Sequence, residues 1–301
     1  MFKDFVNRFK AADIVSKYIY ANVAVYIFFV LIGVFSMLMN VPAFADDVQR
    51  CFELPASPSR LLLQPWTLFT YMFLHGGLMH ILWNMFALYA FGRIFLNFFS
   101  VRHFVGTYIL GGLFGALFFV LAYNVFPYFE GVVNVSYLVG ASASVLAIVT
   151  AVAVRCPEYR IQLLFFGSVR LSTFALVTIL VSVLMLSGNN AGGNFAHLGG
   201  AFAGLLIAVM LGRGIDVTEI VNRPIDWFRN VFKGNNPFRR KKKAKFTYTT
   251  GGKRADDYQY NAKKKSDEAE IDKILEKIKK GGYASLTDAE KKRLFDASSR
   301  R

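Results

Sequence analysis

The chain has 301 residues, of which 54% are hydrophobic and only 18% are charged, and its formal net charge is +15. Soluble domains carry about 25% charged residues, so this composition excludes an ordinary soluble protein and predicts membrane spans with polar tails. The positive charge is concentrated, because residues 213–301 hold 24 of the 35 Lys and Arg against 13 of the 20 Asp and Glu. No nucleic-acid partner is therefore expected, since this basic tail carries no motif that reads bases.

Apolar runs predict six membrane-spanning helices, each close to the length that a bilayer core of about 30 Å requires. The first run, Ile19–Leu38, follows a basic segment (residues 1–18) without a small-residue cleavage site, and we interpret it as a retained span. The other predicted spans are residues 78–96, 104–125, 138–154, 171–186 and 194–211. In the loop between the first two spans, Leu61–Leu63 and Trp66 predict a short helix at the membrane interface.

The basic residues outside the tail fall mainly on one side of this arrangement. The N-terminal side carries four Lys and Arg in the first segment and then Arg93, Arg102, Arg155, Arg160 and Arg170. The opposite side carries only Arg50 and Arg60 together with four acidic residues. The positive-inside rule therefore predicts six spans with both termini in the cytoplasm. His103, which follows Arg102, is expected only to be solvated.

Four polar residues lie inside these predicted spans. His80 and Asn84 are four residues apart and share a face of the second span, Ser142 opens the fourth span after Gly140, and His197 lies near the start of the sixth. Polar and ionisable groups at that depth cost several kcal/mol unless they are paired or face water, so they mark a functional site by default. The predicted topology places all four near the outer ends of their spans.

The chemistry of these four side chains fits acyl transfer. A serine hydroxyl becomes a nucleophile when an imidazole takes its proton, so Ser142 and His197 form a candidate catalytic dyad. The Ser142 backbone N–H at a helix start, the His80 ring and the Asn84 amide are candidate donors to an oxyanion. Neither the fourth nor the sixth span contains Asp or Glu, so no third member is expected. For Ser142 alone, close helix packing is the alternative interpretation.

Three motifs resemble those of the rhomboid family of intramembrane serine proteases. They are HGGLMHILWNM at residues 75–85, GASA at residues 140–143 and AHLGG at residues 196–200. The resemblance covers roughly residues 17–212 and implies a helical bundle in which Ser142 and His197 are the catalytic dyad. It implies that His80 and Asn84 stabilise the oxyanion, with no metal and no cofactor. The implied substrates are transmembrane segments of other membrane proteins, cleaved near the outer face.

The resemblance also implies that substrates approach sideways from the lipid, between the second and fifth spans. Trp83 is a candidate gate residue on that path. It further implies a multi-pass protein of a bacterial inner (cytoplasmic) membrane. The alternative is a catalytically silent rhomboid-like chaperone or dislocation factor that binds client transmembrane helices. Silent relatives usually lack the serine or the histidine, whereas this chain keeps both Ser142 and His197.

Three positions depart from the family pattern. Trp66 is followed by Thr67 where the family often has Arg, Ala143 replaces a typical Gly, and Leu146 replaces an aromatic residue that packs on the catalytic imidazole. We expect the Ala143 methyl to be tolerated if the backbone is helical there, because a positive φ would be strained. Leu146 is expected to support the His197 ring less well than an aromatic side chain.

The predicted domains are residues 19–212, the six-span protease domain; 213–265, a basic juxtamembrane and disordered linker; and 266–301, a small cytoplasmic helical hairpin. The run Arg239–Lys243 is expected to attract anionic lipid headgroups, at about 1 kcal/mol per charge. Residues 224–232 are interpreted either as an interfacial helix or as a connector. In the tail, apolar spacing over residues 271–278 predicts one helix, and Thr287–Glu290 fits a capping box that opens a second.

Overall fold

The structure is a computed structural model that describes residues 11–163, 167–232, 272–279, 281–282 and 285–298. The chain divides into two compact units, residues 1–237 and 238–301. The first ten residues, the run Arg239–Lys243 and the predicted linker up to residue 265 lie outside the described residues. The first unit contains the predicted membrane region, and the second contains the predicted hairpin.

The first unit is mainly helical, with two short strand pairs. Its helices are α1 (Ile14–Leu38), α2 (Pro42–Arg50), α3 (Pro58–Leu63), α4 (Thr67–Thr70), α5 (Leu78–Leu96), α6 (Val101–Val125), α7 (Ser142–Arg155), α8 (Leu171–Leu184), α9 (Ala191–Gly212) and α10 (Glu219–Phe232). Segments Tyr71–Phe73 and Pro127–Val135 form 3-10 turns. The strands are β1 (Leu54–Pro55), β2 (Tyr137–Leu138), β3 (Arg160–Leu163) and β4 (Gly167–Arg170).

The described residues include four helices, α1, α5, α6 and α9, that are long and apolar enough to cross a membrane. The chain is thus a multi-pass membrane protein, as its composition predicts. Helices α7 and α8 are also apolar but contain 14 residues each, or about 21 Å at 1.5 Å per residue. That length is shorter than a bilayer core of about 30 Å. The count of six spans therefore stays a prediction.

Two short strand pairs, which the sequence analysis did not predict, accompany the mostly helical fold. Leu54 pairs with Leu138 and Pro55 with Tyr137 in antiparallel register, and this β1–β2 pair joins the first long loop to the segment before α7. Strands β3 and β4 form a separate antiparallel pair between α7 and α8. Sequence patterns missed β1 and β2 because two residues are too few to show the alternation of a strand.

Helix α7 lies at the centre of the bundle, with eleven of its residues buried. Neighbouring helices pack directly on the α7 backbone at their glycines. A Cβ on Gly200 of α9 would overlap the Ala143 oxygen, and a Cβ on Gly204 would overlap the Ala147 oxygen. A Cβ on Gly115 of α6 would lie only 2.6 Å from the Ala143 Cβ. Close approach through small residues is a main source of helix association in membranes. These glycines therefore allow the close packing of α6 and α9 on α7.

Helix α10 lies against the start of α6 through charged groups. The Arg102 guanidinium forms ion pairs with Glu219 at 2.8 Å and with Asp226, and its hydrogen bond to Glu219 holds the pKa of that carboxyl below its usual range. His103 is not merely solvated, as the sequence suggested, because its Nε2 lies 3.2 Å from the Asp216 carboxylate. Sequence patterns do not indicate this pair, because its members are more than a hundred residues apart.

The second unit contains two described helices, residues 272–279 and α11 (Asp288–Ser298). The capping box predicted for α11 is confirmed: the Thr287 N–H donates to the Glu290 carboxylate at 2.7 Å, and the Glu290 N–H donates to Thr287 Oγ1 at 3.4 Å. The Lys277 Nζ donates to the same carboxylate at 2.9 Å, and this contact joins the two helices.

Candidate active site

The segment that leads into α7 is fixed by backbone contacts. The Gly140 N–H donates to the Tyr71 carbonyl at 2.9 Å, and the Tyr71 hydroxyl donates to the Gly112 carbonyl of α6 at 2.6 Å. Gly140 has φ +126°, a conformation that favours glycine, and a Cβ there would lie 2.8 Å from His80 Nε2. Only glycine therefore allows the chain to turn this close to the imidazole before α7 begins at Ser142.

The start of α7 offers free hydrogen-bond donors. Its capping residue is Ala141, which has no side-chain acceptor for the first N–H groups of the helix. The first intrahelical bond runs from the Val145 N–H to the Ala141 carbonyl at 2.9 Å. The first N–H groups of a helix have no partner within it, and they lie at the positive end of the helix dipole. An anionic oxygen bound beside Ser142 would accept hydrogen bonds from these N–H groups and be stabilised by the helix dipole.

His80 lies close to Ser142, on the other side of Gly140. The point that a Gly140 Cβ would occupy is 2.8 Å from His80 Nε2 and 3.8 Å from the Ser142 Oγ. On the other side of the ring, Nδ1 accepts a hydrogen bond from the Gly76 N–H at 3.3 Å. A neutral imidazole carries one proton, and a nitrogen that accepts a bond cannot hold it. The proton therefore sits on Nε2, the nitrogen that faces Gly140.

Asn84 lies one turn further along α5, on the same face as His80. Its amide donates to the His80 carbonyl at 2.9 Å, and the side chain is buried. A primary amide has two N–H donors, so this bond orients the group and leaves one donor for a bound oxygen. The intrahelical bond is a contact that the sequence did not reveal.

His197 lies in the second turn of α9, whose backbone meets α7 close to Ser142. Ala196 and Ala143, the neighbours of His197 and Ser142, come together beside Gly115 of α6, where a Cβ would lie 3.1 Å from the Ala196 oxygen. Within the part of the chain that the structure describes, Ser142 and His197 form no hydrogen bond with each other. Catalytic hydrogen bonds are often long before substrate binds, and packing keeps the two residues neighbours.

A residue that the sequence analysis did not single out contacts His197. The hydroxyl of Ser182, on α8, lies 3.2 Å from His197 Nδ1, and the Ser182 side chain is only 3% exposed. It shares a buried stripe on α8 with Leu171 and Ala175. A single serine in an apolar run gives no distinct signal, because serine is common in membrane helices as a packing residue.

Trp83 does not face the other site residues. Its side chain is 69% exposed, and its aromatic partner is Phe86 of the same helix, with ring centroids 6.2 Å apart. The aromatic contact between α5 and α8 is made two turns further along, where Phe91 and Phe174 stack at 5.1 Å.

The departures from the family motifs are accommodated in different ways. Ala143 is helical, and its methyl occupies the space that Gly115 leaves free. Leu146 is buried within α7. The Thr67 hydroxyl donates to the Gln64 carbonyl at 2.6 Å and so closes the turn before α4. Ala143 is thus unstrained, as expected for a helical backbone.

Comparison with known proteins gives two family matches and a set of relatives. The rhomboid domain matches residues 62–214, and a family of unknown function, DUF6576, matches residues 256–300. The presenilin-associated rhomboid-like protein, mitochondrial, of Mus musculus is 29% identical over 177 residues, which is 56% of this chain and 43% of that protein. The Homo sapiens protein of the same name is 28% identical over the same shares.

The chain thus spans less than half the length of the curated relatives that it matches. The rhomboid-domain match covers half of the chain and includes α5 to α9, the helices that carry the candidate site. On this evidence the chain belongs to the rhomboid family.

Proposed function

We propose that this protein is an intramembrane serine endopeptidase that cleaves transmembrane segments of other membrane proteins near their outer face. Ser142 is the nucleophile and His197 the general base. The observation that carries the proposal is the convergence of the Ser142 hydroxyl and the His80 ring on Gly140, at the uncapped start of α7. A nucleophile, a neutral N–H donor and free helix N–H groups within one small region are the parts that acyl transfer requires.

The reaction follows from the roles of these groups. Ser142 Oγ attacks the carbonyl carbon of the scissile peptide while His197 takes the hydroxyl proton. The negative oxygen that forms accepts hydrogen bonds from the Ser142 N–H, His80 Nε2–H and the second N–H of Asn84. His197 then gives its proton to the leaving amine nitrogen as the C–N bond breaks, which leaves an acyl ester on Ser142. Water, deprotonated by His197, hydrolyses that ester and restores the serine.

The proposed topology has six membrane-embedded helices with both termini in the cytoplasm. The site ends of α5, α7 and α9 are their N-terminal ends, and the opposite end of the bundle carries Arg93, Arg155 and Arg213. Basic residues mark the cytoplasmic side, so the site lies towards the outer face. Because α7 is about 21 Å long, Ser142 would lie several ångströms below the outer edge of a 30 Å core. The proposed location is a bacterial inner (cytoplasmic) membrane.

Lipid headgroups are the proposed partners of the cytoplasmic side. Helix α10 exposes a set of large apolar side chains, namely Ile220, Ile225, Trp227, Phe228, Val231 and Phe232, and the basic run Arg239–Lys243 follows in the sequence. Apolar residues on one helix next to basic charge are typical of helices that lie in the interface. Brominated lipids should therefore quench the Trp227 fluorescence of a protein whose other tryptophans are replaced by Phe. Absence of quenching would contradict this placement.

A direct cleavage assay tests the proposed function. The full chain, reconstituted in vesicles, is incubated with a generic transmembrane substrate and compared with Ser142→Ala and His197→Ala. We expect both variants to lose cleavage while remaining folded. Ser172→Ala is a matched control, because its hydroxyl donates to the Pro157 carbonyl at the far end of α8. Residual cleavage above a few per cent in Ser142→Ala would exclude the proposed dyad.

The same assay separates the protease from the alternative, a silent client-binding protein. A chaperone or dislocation factor would retain the substrate helix without producing fragments, and Ser142→Ala would bind it as the natural protein does. Loss of fragments in Ser142→Ala with retained substrate binding is the result expected of a protease.

A further inference from the structure

The Ser182 hydroxyl makes two contacts that constrain each other. It lies 3.0 Å from the Thr178 carbonyl oxygen, one turn earlier on α8, and 3.2 Å from His197 Nδ1 on α9. A carbonyl oxygen can only accept, so the single hydroxyl proton of Ser182 is donated to Thr178. The Ser182 oxygen then has only lone pairs to offer to His197.

This arrangement fixes the proton on the imidazole. A lone pair on Ser182 attracts an N–H, so Nδ1 of His197 carries the proton of the neutral ring, and Nε2 is left as the unprotonated nitrogen. Only an unprotonated nitrogen can act as a base. The contact therefore selects the form of His197 that can take a proton from Ser142.

We infer that Ser182 is a positioning residue that holds His197 in the tautomer and orientation needed for general-base catalysis, through the chain Thr178 carbonyl, Ser182 hydroxyl, His197 Nδ1–H. The inference rests on the proposed function of His197. Ser182 acts through the imidazole and is not itself one of the reacting groups.

The hydrogen bond between Ser182 and His197 lies in the interior of the bundle. Ser182 is 3% exposed, while its neighbours Val181 and Val183 are each 44% exposed. The hydroxyl therefore points into the bundle, where a hydrogen bond is stronger than it would be in solvent. An unpaired hydroxyl or imidazole N–H would be costly in this place, so the two groups satisfy each other.

No aromatic ring packs against His197 in the described part of the chain. The histidine ring contacts there pair His75 with His80 and Phe99 with His103, and neither involves His197. Leu146 stands where the family motif often has an aromatic residue. The hydrogen bond to Ser182 thus replaces ring packing as the restraint on the imidazole.

The test compares Ser182→Ala, which removes the hydroxyl, with Ser182→Thr, which keeps it, and with Ser172→Ala as the matched control on the same helix. Cleavage of a transmembrane substrate by full-length protein in vesicles gives kcat and KM separately. Loss of one hydrogen bond between neutral groups should lower kcat about threefold to tenfold in Ser182→Ala. KM should not change, Ser182→Thr should recover most of kcat, and Ser172→Ala should match the natural protein.

A second measurement reads the tautomer without any activity. Imidazole nitrogen NMR of protein labelled with ¹⁵N-histidine, with His197 assigned by its loss in His197→Ala, distinguishes a protonated Nδ1 from a protonated Nε2. The natural protein should show the proton on Nδ1, and Ser182→Ala should shift population towards Nε2.

An unchanged tautomer in Ser182→Ala, or equal losses of kcat in Ser182→Ala and Ser172→Ala, would overturn the inference. If the natural protein cleaves nothing, the proposed function fails, and the NMR result alone still decides whether Ser182 sets the proton on His197.

Discussion

Helices α7 and α8 have the same length, 14 residues, but opposite environments. Helix α7 has eleven buried residues and is enclosed by glycine contacts from α6 and α9. Helix α8 has three buried residues, Leu171, Ala175 and Ser182, and exposes most of its apolar side chains. Ser142 begins the enclosed helix, and the partner of His197 lies on the exposed one.

The difference separates two requirements of the proposed protease. A nucleophile and its oxyanion donors must hold one geometry, and α7 is fixed from several sides. A substrate helix must reach Ser142 from the lipid, so one neighbouring helix has to be held less tightly. Sparse burial is typical of elements that open at low cost. Because α8 also carries Ser182, displacement of α8 would loosen His197 as well.

The largest expected effect among the remaining variants concerns the fixed part of the site. Asn84→Ala removes one proposed oxyanion donor, and loss of such a donor typically lowers turnover by about 10²–10³. His80 Nε2–H and the Ser142 N–H would remain, so some activity should persist. Steady-state cleavage in vesicles measures the turnover of Asn84→Ala. Unchanged kinetics would show that Asn84 has only a structural role, through its hydrogen bond to the His80 carbonyl.

The next prediction tests the packing contrast itself. Gly200→Ala places a methyl on the Ala143 backbone, and overpacking of this kind should lower the free energy of unfolding by about 1–3 kcal/mol. Leu180→Ala on α8, where the side chain is 53% exposed, should change it by less than about 0.5 kcal/mol. Gly33→Ala is the control for added helix propensity, because nothing lies within 4 Å of a Cβ there. Unfolding in mixed detergent measures the free energy of unfolding of all three variants. Equal losses in Gly200→Ala and Leu180→Ala would contradict the difference in packing between α7 and α8.

Access between α5 and α8 is the subject of the third prediction. A substrate must unwind before Ser142 can attack, and unwinding costs about 1 kcal/mol less for Gly than for Ala in the helix. If Trp83 is the gate, Trp83→Ala should raise cleavage of substrates with all-Leu scissile regions more than that of Gly-rich ones. Leu121→Ala, at an exposed position on α6, is the control. Equal slowing of every substrate would indicate a packing role for Trp83.

The smallest effect is expected at the N-terminal end of α6. Burial alone would raise the pKa of Asp216, but hydrogen bonds from Thr218 and the nearby His103 outweigh it and lower that pKa. A carboxyl group whose pKa is lower in the folded protein than in the unfolded chain stabilises the fold at pH values above its unfolded pKa of about 4. That stabilisation is lost as the pH falls through the pKa of the folded protein. Asp216→Asn should therefore lower stability by less than about 1 kcal/mol at pH 7. The difference from the natural protein should vanish near pH 3, and a difference that grows in acid would contradict this sign.

Much of this arrangement could be predicted from the sequence, because the membrane imposes strong patterns. Residues 78–96 were predicted as a span and form α5 with those bounds, since an apolar run of that length has few alternatives. The candidate residues Ser142, His80 and Asn84 stood out as polar groups in apolar runs.

What the sequence could not predict depends on contacts between distant residues. Ser182 resembles any serine in a membrane helix until α9 brings His197 beside it. The β1–β2 pair and the His103–Asp216 contact likewise join segments that only the fold brings together. The sequence also predicts the length of each apolar run. It does not predict how many side chains of a 14-residue helix such as α7 are buried by its neighbours.

The central claim is that Ser142 is a nucleophile activated by His197, and covalent labelling tests it most directly. Full-length protein in vesicles is treated with a serine-reactive fluorophosphonate, and the modified residue is identified by peptide mass spectrometry. The account predicts one adduct, on Ser142, which is lost in Ser142→Ala and strongly reduced in His197→Ala. An adduct on Ser144 instead of Ser142, or equal labelling of the natural protein and His197→Ala, would contradict it.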